Sequence, residues 1–163
     1  MKSDLEMWFK LSKKKQIIFS ICNIIFPLII GAVIYFLFVP TAHISEMLYK
    51  FLGKSIYIDS MDLTGTFVTC FLADFLWAYA LFFLVLVILA RKRNDIWIVL
   101  LICMIFETVI EFLQLTPIID GTFDWFDILI ECFADLLGIG ILVMYCYFIN
   151  KRGRCHDCNN NFF

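Results

Sequence analysis

The sequence predicts an all-α, polytopic membrane protein: one membrane domain over residues 1–163, arranged as a four-transmembrane-helix bundle. Three observations predict it. The residues are 63% hydrophobic and 17% charged, with a mean hydropathy of +0.90, whereas a soluble domain is about 45–50% apolar and about 25% charged. Four segments meet the length of about 20 mostly apolar residues that a bilayer requires. The basic residues cluster at the ends of these segments that a common side would carry.

The first span covers residues 16–39 and follows Lys13, Lys14 and Lys15. Its apolar stretch exceeds the roughly 7–15 residues of a signal-peptide core, and no small-residue cleavage site follows, so it is expected to be retained. Pro40 closes it, because proline cannot continue helical hydrogen bonding. The second span covers 67–90 and the third 96–115, with Asn94 or Asp95 able to cap the third and Thr116-Pro117 ending it. The fourth covers 125–149, capped by Asp124 with Asp127 one turn on, where a carboxylate suits the helix dipole. A tail, 150–163, follows.

Charge sets the expected orientation. Lys2, Lys10 and Lys13–Lys15 precede the first span, Arg91, Lys92 and Arg93 join the second to the third, and Lys151, Arg152 and Arg154 follow the fourth. Only Lys50 and Lys54 fall on the opposite side. The positive-inside rule then places both termini in the cytoplasm, with 41–66 and 116–124 outside. In the first outer loop Ile44, Met47, Leu48, Phe51 and Leu52 recur at helical spacing, with Ser45, Glu46 and Lys50 on other faces. That pattern suits a short amphipathic helix, either on the membrane surface or packed on the bundle.

The acids hold the chemical information. Between Asn94 and Asn150 there is no Lys, Arg or His, yet Glu107, Glu111, Asp127, Glu131 and Asp135 fall in or at the mouth of two spans, and Asp74 in a third. Glu107, Glu111 and Gln114 share one helix face, and Asp127, Glu131 and Asp135 step by four. Asp74 and Trp77 form a similar pair. An acid at the centre of an inserting helix costs roughly 2.5–3.5 kcal/mol, so a cluster of them is a functional-site hypothesis. Asp127 alone equally suits a helix-start charge, and Glu107 with Glu111 could be neutral acids bonded between helices.

Other motifs carry less. Seven cysteines form an odd set, five of them inside apolar runs and none in the predicted outer loops, which argues against a disulfide framework. Cys155-His156-Asp157-Cys158 supplies two thiols where a zinc site needs four ligands, leaving an ordinary polar tail or a metal shared within a dimer. Arg91-Lys92-Arg93 could hold anionic lipid heads, although orientation explains it fully. No phosphate loop, serine elbow or metalloprotease motif occurs, His43 and His156 both lie outside the spans, and the basic residues are too scattered for nucleic acid. No catalytic residue, metal ligand or cofactor is expected.

Glu111-Phe-Leu-Gln114-Leu, then Asp120-Gly-Thr-Phe-Asp124-Trp-Phe-Asp127-Ile-Leu, and later Gly138-Ile-Gly140, resemble the pattern of the VanZ-like family, as does Ala73-Asp74-Phe-Leu-Trp77-Ala-Tyr79 upstream. The likeness spans residues 70–140. It implies a small polytopic envelope protein, linked in its best-known member to resistance against teicoplanin-type glycopeptides. Glu111, Gln114, Asp124 and Asp127 are the positions it carries over, with Asp74 more weakly. The chain departs at Gly121, where the family has Arg, at Glu131, where it has Asn, and at Ala134, where it has Gly. Without that Arg, the acids must be balanced by a proton, a cation, an amine, or Lys50, Lys54 or His43.

Together these readings give an outward-facing acidic cleft of Asp74, Trp77, Glu107, Glu111, Gln114, Asp124, Asp127 and Glu131. It would bind a polar or cationic envelope ligand, such as a glycopeptide or a cell-wall lipid precursor, in a protective role. The alternatives are a proton- or cation-coupled transporter, a membrane-embedded lipid-processing enzyme, and an assembly subunit in which Gly138 and Gly140 permit close packing. Membrane lipids are the expected surroundings, and oligomers are compatible with all of these.

Overall fold

The computed structural model describes residues 2–38, 50, 71–116 and 123–160, with backbone alone at 2–4, 35, 36, 38 and 152–160. Five α-helices account for nearly all of them: α1 Lys2–Lys10, α2 Lys13–Phe38, α3 Ala73–Leu89, α4 Asp95–Gln114 and α5 Trp125–Asn160. Three segments are long and apolar enough to cross a membrane, Lys13–Ile34, Asp95–Gln114 and Trp125–Lys151; Ala73–Leu89 is apolar and shorter. Apart from Lys50, the expected surface helix around 44–52, with Val39, Pro40, residues 67–70 and Asp120, lies outside the described residues.

The helices form because long apolar runs leave backbone polar groups no partner but their own segment. Their outward faces stay apolar: Ile25 and Phe26 on α2, Ile98, Leu101 and Ile105 on α4, and Leu129 and Phe133 on α5 are all exposed. Polar side chains set the ends. The Asp95 carboxylate accepts the backbone N–H groups of Arg91 (2.8 Å) and Lys92 (3.0 Å), fixing a tight turn between α3 and α4. Asn94 makes no capping bond. At the start of α5, Asp124 Oδ1 accepts the Phe126 N–H at 2.9 Å.

α3 is the hub, packed against α2, α4 and α5. Its buried face carries Ala78, Phe82, Phe83 and Leu86. Gly138 of α5 lets the helices approach: a Cβ there would stand 2.6 Å from Phe82 Cδ1, closer than packed atoms allow. Between α2 and α3 the Tyr79 hydroxyl donates to Asn23 Oδ1, and Asn23 Nδ2 donates to the Phe19 carbonyl at 2.8 Å. α1 packs against α5. There Leu5 and Trp8 are buried, and Trp8, Phe19 and Tyr145 form an aromatic knot in which Phe19 and Tyr145 stack at 3.9 Å. This end of the bundle carries Lys13, Arg91 and Lys92 and is called the basic end below; the starts of α3 and α5 and the end of α4 form the acidic end.

Candidate functional site

Helical spacing brings the carboxylates together. On α4, Glu107 and Glu111 continue the buried stripe begun by Ile96, Val99 and Cys103. On α5, Asp127, Glu131 and Asp135 follow each other by four residues and so stay on one side. Asp74 stands in the first turn of α3. Asp74 is within charge–charge reach of Asp127 and Glu111. Glu131 reaches Glu107, Glu111, Asp74 and Asp127, and Asp135 reaches Glu131 and Glu107. Six acids from three helices thus form one connected group.

The group is layered by depth. At about 1.5 Å per residue, Asp135 lies about 15 Å along α5 from Trp125, and Glu107 about 10 Å along α4 from Gln114. Asp74 and Asp127 are half-buried near the mouth. Glu131 and Glu111 retain 5% and 4% of their surface, Glu107 2% and Asp135 none. The inner members are therefore sealed between helices, while the outer ones approach solvent.

Gln114, Asp124 and Trp77 have separate positions. Gln114 Nε2 donates to Glu111 Oε1 at 3.1 Å, holding that carboxylate, and the Asp124 backbone N–H interacts with the same group. The Asp124 side chain is used as the cap of α5. Trp77 is half-exposed and lines an apolar groove of about 190 Å³ with Pro27, Leu28 and Gly31, which includes none of the carboxylates. Phe112, Phe123 and Trp125 gather at the mouth, the last two 4.8 Å apart edge to face, as aromatic side chains do at a membrane boundary.

The decisive feature is the lack of compensation. Both oxygens of Glu107 and of Asp135, and one each of Glu111, Asp127 and Glu131, are buried without a hydrogen-bond partner among the described residues. The ion pair of the described residues, Arg93 with Glu6 at 3.0 Å, is at the basic end. An unpaired buried charge costs several kcal/mol, so these oxygens require a proton, a cation, an ammonium group or ordered water. Among the described residues, no three histidine, cysteine or carboxylate side chains are disposed to hold a metal ion. The group is a ladder of acids rather than a coordination cage.

Asp135, outside the expected ligand set, is the most buried acid of the group; its four-residue step from Glu131 is the signal for it. Cys103 and Cys132 border the inner acids, and only the buried stripe of α4, not the thiol itself, marks Cys103 in the sequence. No family model, no curated protein and no solved structure matches this chain, so the reading of the site rests on its own residues and their geometry.

Proposed function

We propose that this is a four-span bacterial envelope protein of the VanZ-like kind, whose carboxylate ladder binds a cationic or amine-bearing ligand arriving from the face opposite its basic ends. One observation supports it above others: buried, unpartnered carboxylate oxygens contributed by both α4 and α5, next to Asp74 of α3. The positive-inside rule would put the basic end in the cytoplasm and the mouth outside. A glycopeptide amine and a cell-wall lipid precursor fit that location, and a protective role would follow from capturing either. Removing one carboxylate at the mouth and one buried just beneath it tests the reading. In the Glu111→Gln/Asp127→Asn double variant, the thermal shift given in detergent by glycopeptides, organic amines or polyprenyl-phosphate analogues should vanish while membrane insertion is unchanged. An unaltered shift in that variant would overturn it.

A second reading has an observation of its own. Glu107 and Asp135 continue the ladder to the interior, as a proton or cation relay would require. Below them the stripe turns apolar, with Cys103, Val99 and Ile96 on α4. A relay therefore predicts cation-dependent flux in proteoliposomes that Asp135→Asn abolishes; ligand binding without flux would exclude it.

A further inference from the structure

At the basic end, far from the carboxylates, three segments enclose a cavity of about 130 Å³. Its walls include Trp8 of α1, Lys13 and Ile17 of α2, Val87 of α3 and Arg91 of the following turn. The enclosure is fixed in shape. Gln16 Nε2 donates to the Trp8 carbonyl at 2.6 Å, locking α1 to α2, and Asp95 holds the backbone N–H of Arg91.

Two chemistries meet here. Lys13 and Arg91 are exposed cations. Arg93, by contrast, is neutralised by Glu6, and neither Lys13 nor Arg91 forms an ion pair among the described residues. Directly beside them Ile17, Val87 and Ala90 supply an apolar wall that continues into the exposed apolar faces of α2 and α3. The cavity holds about four water volumes at roughly 30 Å³ each, enough for a phosphate group and its ester linkage. Because Lys13 and Arg91 flank the apolar runs of α2 and α3, the cavity is level with a bilayer's headgroups.

We propose that this cavity binds an anionic phospholipid, the phosphate lying between Lys13 and Arg91 and the start of an acyl chain along Ile17 and Val87. The pairing of two cations with a greasy wall distinguishes it from a site for a free anion. It also gives α1 a role: Trp8 closes the headgroup chamber.

Native mass spectrometry of the purified full chain, delipidated and then given phosphatidylglycerol or phosphatidylcholine with identical acyl chains, tests this. The protein should retain phosphatidylglycerol selectively. Lys13→Gln/Arg91→Gln should lose about thirtyfold in affinity, and each single change about fivefold, at about 1 kcal/mol per surface cation. Lys14→Gln/Lys15→Gln removes equal charge outside the cavity and should retain binding. Equal loss in both double variants, or no preference for the anionic lipid, overturns the proposal. Displacement of the lipid by inorganic phosphate at comparable concentration would assign the cavity to a free anion instead, and would overturn it too. Unchanged helix content by circular dichroism separates lost binding from lost folding.

Discussion

The two halves of α4 share one buried stripe but differ in chemistry. From Ile96 through Val99 to Cys103 the stripe is apolar; one and two turns further it carries Glu107 and Glu111. All five positions are buried for the same reason, the helical repeat that returns them to one face. α5 repeats the contrast in reverse: Glu131 and Asp135 are followed by Gly138, Leu142 and Cys146. Packing geometry therefore decides which positions face inward, and only something other than packing explains why two of the five on each helix are acids. The apolar half holds the bundle together. The acidic half is sustained against its own desolvation, which is how a site differs from a core.

Crossing the boundary should have the largest effect. Cys103→Asp adds an uncompensated carboxylate to the apolar half, where its neighbours Glu107 and Asp135 repel it; a loss of about 3–5 kcal/mol is expected, read as lower membrane yield and a lower melting temperature in detergent. The reverse change should act in the opposite direction. Glu107→Gln with Asp135→Asn replaces two unpaired, mutually repelling acids with neutral amides, and should raise stability by about 1–3 kcal/mol while impairing ligand binding or flux. A destabilised double variant would mean that these acids are structural. The smallest effect is expected at Tyr79, where the polar pair in the apolar surroundings is satisfied: Tyr79→Phe removes the bond to Asn23 and should cost about 1 kcal/mol with no change in ligand response.

Much of this was legible in residue spacing. The three long spans follow from hydropathy, and the placing of Glu107 with Glu111 on one face of α4, and of Asp127, Glu131 and Asp135 on one side of α5, follows from their four-residue steps. Spacing says which side of a helix a residue occupies, but it does not say which helix lies opposite. For that reason Trp77, three residues from Asp74, read as part of the acid group yet lines the α2–α3 groove. Asp124 read as a ligand as well as a cap, and its carboxylate is used by the Phe126 N–H. Helix α1 has no sequence signature of its own, because nine residues with only Leu5, Met7, Trp8 and Phe9 apolar give too short a pattern to stand alone; its burial depends on Tyr145 and Phe19, which no local signal connects to it.

That distant dependence has a consequence for biogenesis. Leu5 and Trp8 are made before the spans, but α5, against which α1 packs, is made after the other four helices. Until ribosomal synthesis reaches Tyr145, the amino-terminal helix has no completed berth, since contacts so remote in sequence close late. A product truncated before α5 should expose Trp8 and be recognised by membrane proteases, whereas the full chain buries that ring. The knot around Trp8 then reports that α5 has been made and docked, and Trp8→Ala should shorten the cellular lifetime of the protein toward that of the fragment.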